Sequence, residues 1–548
     1  MSRRWIDILN LFGIWIFISF LSGSQAWTSL DTPDSEFHAS MAIFGSEVTD
    51  RAATPVYFWT RLGYIAPAHA FIRFFGPITG LEVFRLFLLF VIIASIYFTI
   101  RVFTTRLNAC LLTLFIALNT ALLGYLGNPY PTAVVMAGLF ALMALLITGN
   151  SIWREVSAGA IIGWLVMTNP YGAVFGAVLF LCILLVKPFS ENHWKFILRR
   201  FVLGVLGFLV AFTLLLASAR LLFPTLDWWE TFSYYNSALN QADYVFDLYR
   251  WTWDPSLLVI FMAAIISWII FAQNRDSLQA RFSVAIATAV PVFALIYWKF
   301  SPNPFLEFPK YQAMLWPTAL IAMGLAATCR LPQIDLRWSR VFTGISAVAL
   351  VLFSGHSLLV LDLWQSRMLA VLAIVMFMIG RRRWTIILIA IAISFSMAQL
   401  LQNSRDSYGV SSQYLYGNAF RDNDVRLKLD SAINGQNFVL SKTKAGDRAL
   451  TWVDAEWFPG EESLLPLAAF QLWGPNEAER GPLVTTETMK RWNDIRPLSI
   501  IMYGKTTEAI LDFWNSIPKQ NLPTVPECKD VVWVEPDIAH VCVTQLTW

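Results

Sequence analysis

The chain has 548 residues, 57% of them hydrophobic and only 14% charged, against roughly 45–50% and about 25% in an ordinary soluble domain. A soluble core cannot hide that much apolar surface, so the solvent of most of this chain is lipid. The balance of 40 basic and 37 acidic residues, a net charge of +3, is too small for a nucleic-acid footprint, and 24 Trp with 42 Phe exclude a disordered polymer.

Thirteen apolar stretches follow one another, most of them near the roughly 20 helical residues that cross hydrocarbon. They fall at residues 5–24, 84–104, 107–126, 131–149, 157–168, 171–187, 201–223, 256–273, 282–299, 312–329, 341–361, 368–380 and 384–401. The fifth and sixth are short and separated by Thr168-Asn169-Pro170-Tyr171, which reads as a broken pair. The fold class expected is therefore an α-helical polytopic membrane domain over 1–401, with a large first outer loop at 27–83. The first stretch also imitates a signal peptide, with Arg3 and Arg4 ahead of it and Ser24-Gln25-Ala26 behind. Residue 27 emerges on the outer side in either case.

Short loops of one set carry the bases: Arg101 and Arg106, Arg154, Lys187 with Lys195, Arg199 and Arg200, Arg275 and Arg281, Arg330 with Arg337 and Arg340, and Arg381 to Arg383. Lys and Arg are retained on the cytoplasmic side. The N-terminus and these loops are expected inside a plasma or inner membrane, and everything after residue 401 outside it. The opposite loops, 27–83, 224–255 and 300–311, are long, aromatic and acidic, which makes the outer face the working one. No repeat or pair of inverted halves stands out, against a transporter.

Residues 402–548 have an ordinary composition, with 14 basic and 19 acidic residues. Strand-like runs at Asn437 to Leu440, Ser499 to Tyr503, Val531 to Val534 and His540 to Val543 alternate with helical runs at Asp424 to Ile433, Thr485 to Ile495 and Thr507 to Ile517. A small extracytoplasmic α/β domain is expected. Outside the cytoplasm Cys528 and Cys542 are expected to form a disulfide that closes a hairpin. Cys110, Cys182 and Cys329 fall within spans, where a lone thiol is a small packing residue. No metal-ligand spacing is present, and no Asn-x-Ser/Thr acceptor occurs. Tyr503-Gly504-Lys505-Thr506-Thr507 imitates a phosphate loop but lacks its first glycine, Ser499 standing in that place.

After the first span comes Trp27-Thr28-Ser29-Leu30-Asp31-Thr32-Pro33-Asp34-Ser35-Glu36-Phe37-His38. Three carboxylates and an imidazole at a membrane surface are costly unless solvated or used. Helix capping by Asp34 or Thr32 is the plain reading. The functional reading gains from residues 55–76, where aromatics mix with Arg61, His69 and Arg73 in helices expected along the interface and broken at Pro67. In the loop 224–255, Asp227-Trp228-Trp229-Glu230 and Tyr234-Tyr235 mix aromatic platforms with acids, and Asp247-Leu248-Tyr249-Arg250-Trp251 follows.

Pro33-Asp34 followed by His38, the interfacial helices, the broken pair, Phe308-Pro309-Lys310-Tyr311 ahead of a span containing Pro317, and the exported tail together resemble the GT-C superfamily. These are integral membrane glycosyltransferases that use polyprenyl-phosphate sugars. Ser35 stands where the Pro-Asp-Glu-x-x-His type of motif has glutamate, and Glu36 comes one residue late. The resemblance implies a donor carried on polyprenyl phosphate, an extracytoplasmic glycan, lipid or protein acceptor, and inverting hexosyl or pentosyl transfer. A carboxylate must take the acceptor's proton; Asp34 is the first choice for that base, Asp31 is close behind, and Glu36 supplies a second carboxylate. A cation must meet the departing phosphate. Lys310 beside Tyr311 is placed first for this, then Arg250 and Arg61, with His38 close to the substrate. No cofactor is required, although Asp31, Asp34 and Glu36 could hold a divalent cation. The competing readings are a flippase of lipid-linked glycans and a non-catalytic membrane scaffold.

Overall fold

The computed structural model describes residues 3–21, 34–49, 60–117, 122–123, 126, 130–149, 151–186, 193–224, 227–233, 264–265, 267–300, 309–329, 423–444, 449–453, 499–504, 506–517, 526–534 and 537–546. The expected spans at 341–361, 368–380 and 384–401 and the helical run Thr485 to Ile495 lie outside the described residues. In chain order the helices of the first part are α1 (Arg3–Leu21), α2 (Asp34–Phe44), α3 (Ser46–Thr49), α4 (Leu62–Phe75), α5 (Pro77–Arg101), α6 (Arg106–Ala117), α7 (Pro131–Ile147), α8 (Ile152–Val166), α9 (Pro170–Val186), α10 (His193–Leu222), α11 (Leu278–Phe300) and α12 (Pro309–Ala327). Pro77–Arg101, Ile197–Leu222 and Leu278–Tyr297 are each long and apolar enough to cross a membrane.

Side-chain links show which helix ends lie together. Asp7 in α1 accepts from Arg106 Nε at 2.8 Å, Tyr97 Oη at 2.8 Å and Arg101 Nε at 3.2 Å, which gathers the start of α1, the end of α5 and the start of α6. Arg154 Nη1 donates to Thr148 Oγ1 at 2.9 Å between the end of α7 and the start of α8. Arg200 in α10 and Glu155 in α8 form a buried ion pair at 3.1 Å. The opposite ends are aromatic. Tyr171 at the start of α9 meets Tyr297 near the end of α11, ring centroids 4.7 Å apart, and Tyr130 directly precedes α7. Arg101, Arg106, Arg154 and Arg200 thus lie toward one end of these helices and the Tyr171–Tyr297 contact toward the other.

The short fifth and sixth stretches are α8 and α9, of 15 and 17 residues, joined through the turn at Thr168 and Asn169. At about 1.5 Å per residue each falls a few ångströms short of about 30 Å of hydrocarbon. Asn169 Oδ1 accepts from Tyr171 N–H at 3.0 Å, and Pro170 opens α9 at the position where a missing N–H costs nothing. α8 packs most closely on α10. A Cβ added to Gly159 would lie 1.8 Å from Gly204 O, one on Gly207 1.9 Å from Val156 O, and one on Gly163 2.5 Å from Phe208 O. The two backbones touch along a seam of glycines.

The later residues form a mixed sheet between two helices. Its strands are β1 (Ala449–Val453), β2 (Ser499–Gly504), β3 (Glu527–Val534) and β4 (Asp537–Gln545), with α13 (Asn423–Lys442) preceding β1 and α14 (Thr507–Ser516) between β2 and β3. The order is β1-β2-β4-β3, with β1 parallel to β2 and the other pairs antiparallel. Strand alternation divides the apolar side chains. Ile500, Met502 and Cys542 cluster with Ile510 and Ile517 of the α14 side, whereas Ile501, Tyr503, Val541 and Val543 cluster with Val439 of α13. Cys528 and Cys542 are directly paired across β3 and β4 and joined by a disulfide.

One expectation is corrected here. Asn437 to Leu440 is the last part of α13, not a strand. Ile433, Gln436 and Val439 are buried at helical spacing, so the run continues one amphipathic face through Asn434-Gly435, which reads in isolation as a turn. At the phosphate-loop imitation, set aside in the sequence, Thr506 caps α14, its Oγ1 accepting from Ala509 N–H at 3.1 Å.

Candidate functional site

The aromatic end is built around α4. In the sequence Pro67 reads as a break, yet α4 runs unbroken from Leu62 to Phe75. A proline at 67 cannot donate to the carbonyl of residue 63. That carbonyl is taken instead by Trp164 Nε1 of α8, at 2.8 Å. Gly63 N–H donates in turn to Met167 O at 2.8 Å, so the first turn of α4 is hydrogen-bonded onto the end of α8. A Cβ at Gly63 would lie 2.0 Å from Thr168 Oγ1; only glycine allows this approach. Trp228 Nε1 donates to Thr60 O at 3.2 Å, fastening the approach to α4 from the segment after α10. Asp227 Oδ1 accepts from the N–H groups of Trp229 and Glu230 at 2.9 and 3.0 Å, so it caps a helical turn. Trp229 is 58% exposed.

α2 lies against α4. His69 Nδ1 of α4 donates to Ala42 O at 2.8 Å, and Gly45 ends α2 in the left-handed region at φ 59°. His38 is fully buried, with its ring edge-on to Tyr64 at 6.0 Å and to Tyr130 at 5.2 Å. α2 is therefore wedged between α4 and the start of α7 by an imidazole among phenols. Burial pushes the Tyr64 phenol well above its usual range, so it stays protonated at any physiological pH.

The residues singled out in the sequence are distributed as follows. Asp34 is the first residue of α2 and Glu36 stands in its first turn; their side chains are outside the described set. Asp31 and Arg250 lie outside the described residues. Lys310 and Tyr311 belong to the first turn of α12, again without described side chains. His38 is in the aromatic wedge, and Arg61 immediately precedes α4, half-buried, with its carbonyl accepting from Tyr64 and Ile65 N–H at 3.0 and 3.1 Å. Among the described residues no three metal-ligating side chains converge.

One pair went unnoticed in the sequence. Glu82 and Arg85, in the first turns of α5, are both buried and joined at 2.6 Å through Arg85 Nη2, with Arg85 Nε a further 3.0 and 3.1 Å from the two carboxylate oxygens. Phe84, between them in sequence, packs on Tyr64 with centroids 5.9 Å apart. The signal was present as two opposite charges three residues apart in an apolar helix, the spacing at which they meet. Starting the span at residue 84 put Glu82 in a loop and hid it.

No family model matches this sequence, and no curated protein matches it. Solved structures do match. ArnT from Cupriavidus metallidurans bound to undecaprenyl phosphate superposes with a TM-score of 0.55 at 15% identity, covering 99% of this chain and 98% of that one. The apo state of the same protein gives a TM-score of 0.51 at 15% identity, with the same coverage. The oligosaccharyltransferase of Archaeoglobus fulgidus, tethered to an acceptor peptide, is more distant, with a TM-score of 0.41 at 10% identity over 88% of this chain and 61% of that one. End-to-end coverage of ArnT includes the helical part and the sheet together. The chain shares its fold with these ArnT structures along nearly its whole length.

Proposed function

We propose that this protein is a glycosyltransferase that moves a sugar from a polyprenyl-phosphate carrier to an acceptor hydroxyl outside the cytoplasm. The observation that carries the reading is the match along 99% of the chain to a structure holding undecaprenyl phosphate, which makes a lipid phosphate the ligand that the fold suits. The topology proposed is thirteen spans over 1–401, a cytoplasmic N-terminus, and residues 402–548 as an extracytoplasmic α/β domain. The gathering of Arg101, Arg106, Arg154 and Arg200 at one end of the helices supports that orientation.

In the proposed reaction the acceptor oxygen attacks the anomeric carbon from the side opposite the phosphate. The carbon–oxygen bond to the phosphate breaks, its electron pair leaves with the carrier phosphate, and the anomeric centre inverts. Asp34, with Asp31 as the second choice, takes the acceptor proton, and Glu36 positions the acceptor. Asp34 is supported by its place at the start of α2, four residues and so about one helical turn from His38, which is held between Tyr64 and Tyr130. Lys310, beside Tyr311 at the start of α12, meets the departing phosphate with Arg250 and Arg61. No metal is needed for this scheme, since a basic residue can receive the leaving phosphate.

The test is transfer from synthetic polyprenyl-phosphate sugars by the full chain in nanodiscs. Asp34→Asn is expected to lower kcat by roughly 10²- to 10⁴-fold, the usual yield of a positioned base, and Lys310→Ala to weaken donor binding. Full activity in both Asp34→Asn and Asp31→Asn overturns the assignment of the base. Passage of labelled carrier across vesicles without any sugar transfer would make the protein a flippase.

A further inference from the structure

The end of the molecule remote from the aromatic site contains an open cavity of about 610 Å³, lined by Phe98, Arg101 and Val102 of α5 and its end, Ala144, Leu145 and Thr148 of α7 and its end, and Arg154 of α8. Its wall is apolar and open to the surroundings, with Phe98 41% and Val102 51% exposed. Its polar rim is cationic. Arg101 directs Nε to Asp7 and Nη1 to Thr104 O, and Asp7 is shared with Arg106, so one carboxylate faces two guanidinium groups. Arg154 has its hydrogen bond to the Thr148 hydroxyl and, among the described residues, no carboxylate within ion-pair distance. Thr148 Oγ1 donates to Ala144 O at 2.6 Å and can only accept from Arg154, which fixes that guanidinium at the rim.

We propose that this cleft binds an acidic phospholipid of the surrounding leaflet. The phosphate sits between Arg101 and Arg154, and an acyl chain runs along Phe98, Val102 and Leu145. A soluble phosphate would satisfy the arginines but leave the apolar wall bare; a zwitterionic lipid would cover the wall but bring no net charge to a rim with excess positive charge. An anionic head group with a chain meets both, as basic pockets between spanning helices do. This site stands apart from the proposed transferase reaction and holds whichever reaction the outer end performs.

The experiment is native mass spectrometry of the full chain in detergent, incubated with phosphatidylglycerol, phosphatidylcholine or inorganic phosphate. Wild type is expected to retain phosphatidylglycerol over phosphatidylcholine. Arg154→Gln should lower that retention about fivefold, the factor that corresponds to roughly 1 kcal/mol per basic residue near an anionic lipid. Leu145→Trp, which fills the apolar wall and keeps both arginines, should lower retention as well, with an unchanged thermal midpoint as the control for folding. Equal retention of the two lipids overturns the proposal, as does unchanged retention in both variants. Displacement of phosphatidylglycerol by inorganic phosphate at equal concentration would also overturn it, since the ligand would then be a soluble anion.

Discussion

At the scale of single residues, the contact between Trp164 and Gly63 explains why a proline sits unbroken inside α4. The indole replaces the one donor that Pro67 lacks, at a buried carbonyl. Trp164→Phe should therefore cost about 1–3 kcal/mol, the penalty for leaving a buried acceptor without its donor. In a Pro67→Ala background residue 67 regains an N–H that can reach Gly63 O, so the cost of Trp164→Phe should shrink. Thermal or denaturant unfolding of the four variants forms a double-mutant cycle, and strict additivity would refute the substitution of indole for amide. The sequence offered Pro67 and Trp164 separately, a hundred residues apart, and local punctuation rules could only predict a break. The cluster from Asp31 to His38 stands out in the sequence because its charges interrupt an apolar chain. Glu82 and Arg85 do not, because a span begun at residue 84 leaves Glu82 in the preceding loop and separates it from its partner.

At the scale of elements, the α8 and α10 seam brings two backbones closer than any side chain permits. Gly159→Leu would place atoms inside the carbonyl of Gly204, and the helices must part. We expect a loss beyond about 4 kcal/mol, in the range reserved for disrupted packing, seen as aggregation or loss of the monodisperse peak on size exclusion. Gly13→Leu is the control: nothing lies within 4 Å of a Cβ at that position, and α1 should accept the change. Small residues spaced along spanning helices permit such contacts generally, and Gly159 with Gly163 fits that pattern, but the partner glycines on α10 are visible only once the two helices are paired. The end of α13 shows the reverse difficulty. Asn437 to Leu440 is too short a run for its period to be read, and the face it completes against the sheet is a tertiary fact.

At the scale of the whole molecule, the composition was already decisive. A chain with so few charges and such long apolar stretches reads as polytopic. The sheet was only partly legible, because β1 lies in an ordinary stretch whose parallel pairing with β2 carries no local signal. The cysteines supply a prediction about compartment. With Cys528 and Cys542 paired and Cys110, Cys182 and Cys329 free, the denatured protein should bind three maleimides before reduction and five after it. Five before reduction would argue for a reducing environment around the tail and against the proposed orientation. An alkaline phosphatase reporter fused after residue 402 should likewise be active, and activity confined to cytoplasmic reporters would invert the topology.

The fastening of α4 has a mechanical result. Its first turn is tied to the end of α8, and the residue preceding it is tied to the turn that follows α10, while α8 and α10 are themselves locked backbone to backbone. Three members braced pairwise make a truss, which cannot shear without breaking a joint. The floor of the aromatic end is thus immobile relative to that pair of spans. α2 is fixed to the same frame, through His69 to the Ala42 carbonyl and through His38 between Tyr64 and Tyr130, so a bulky ligand entering beside it would have to be admitted by movement elsewhere.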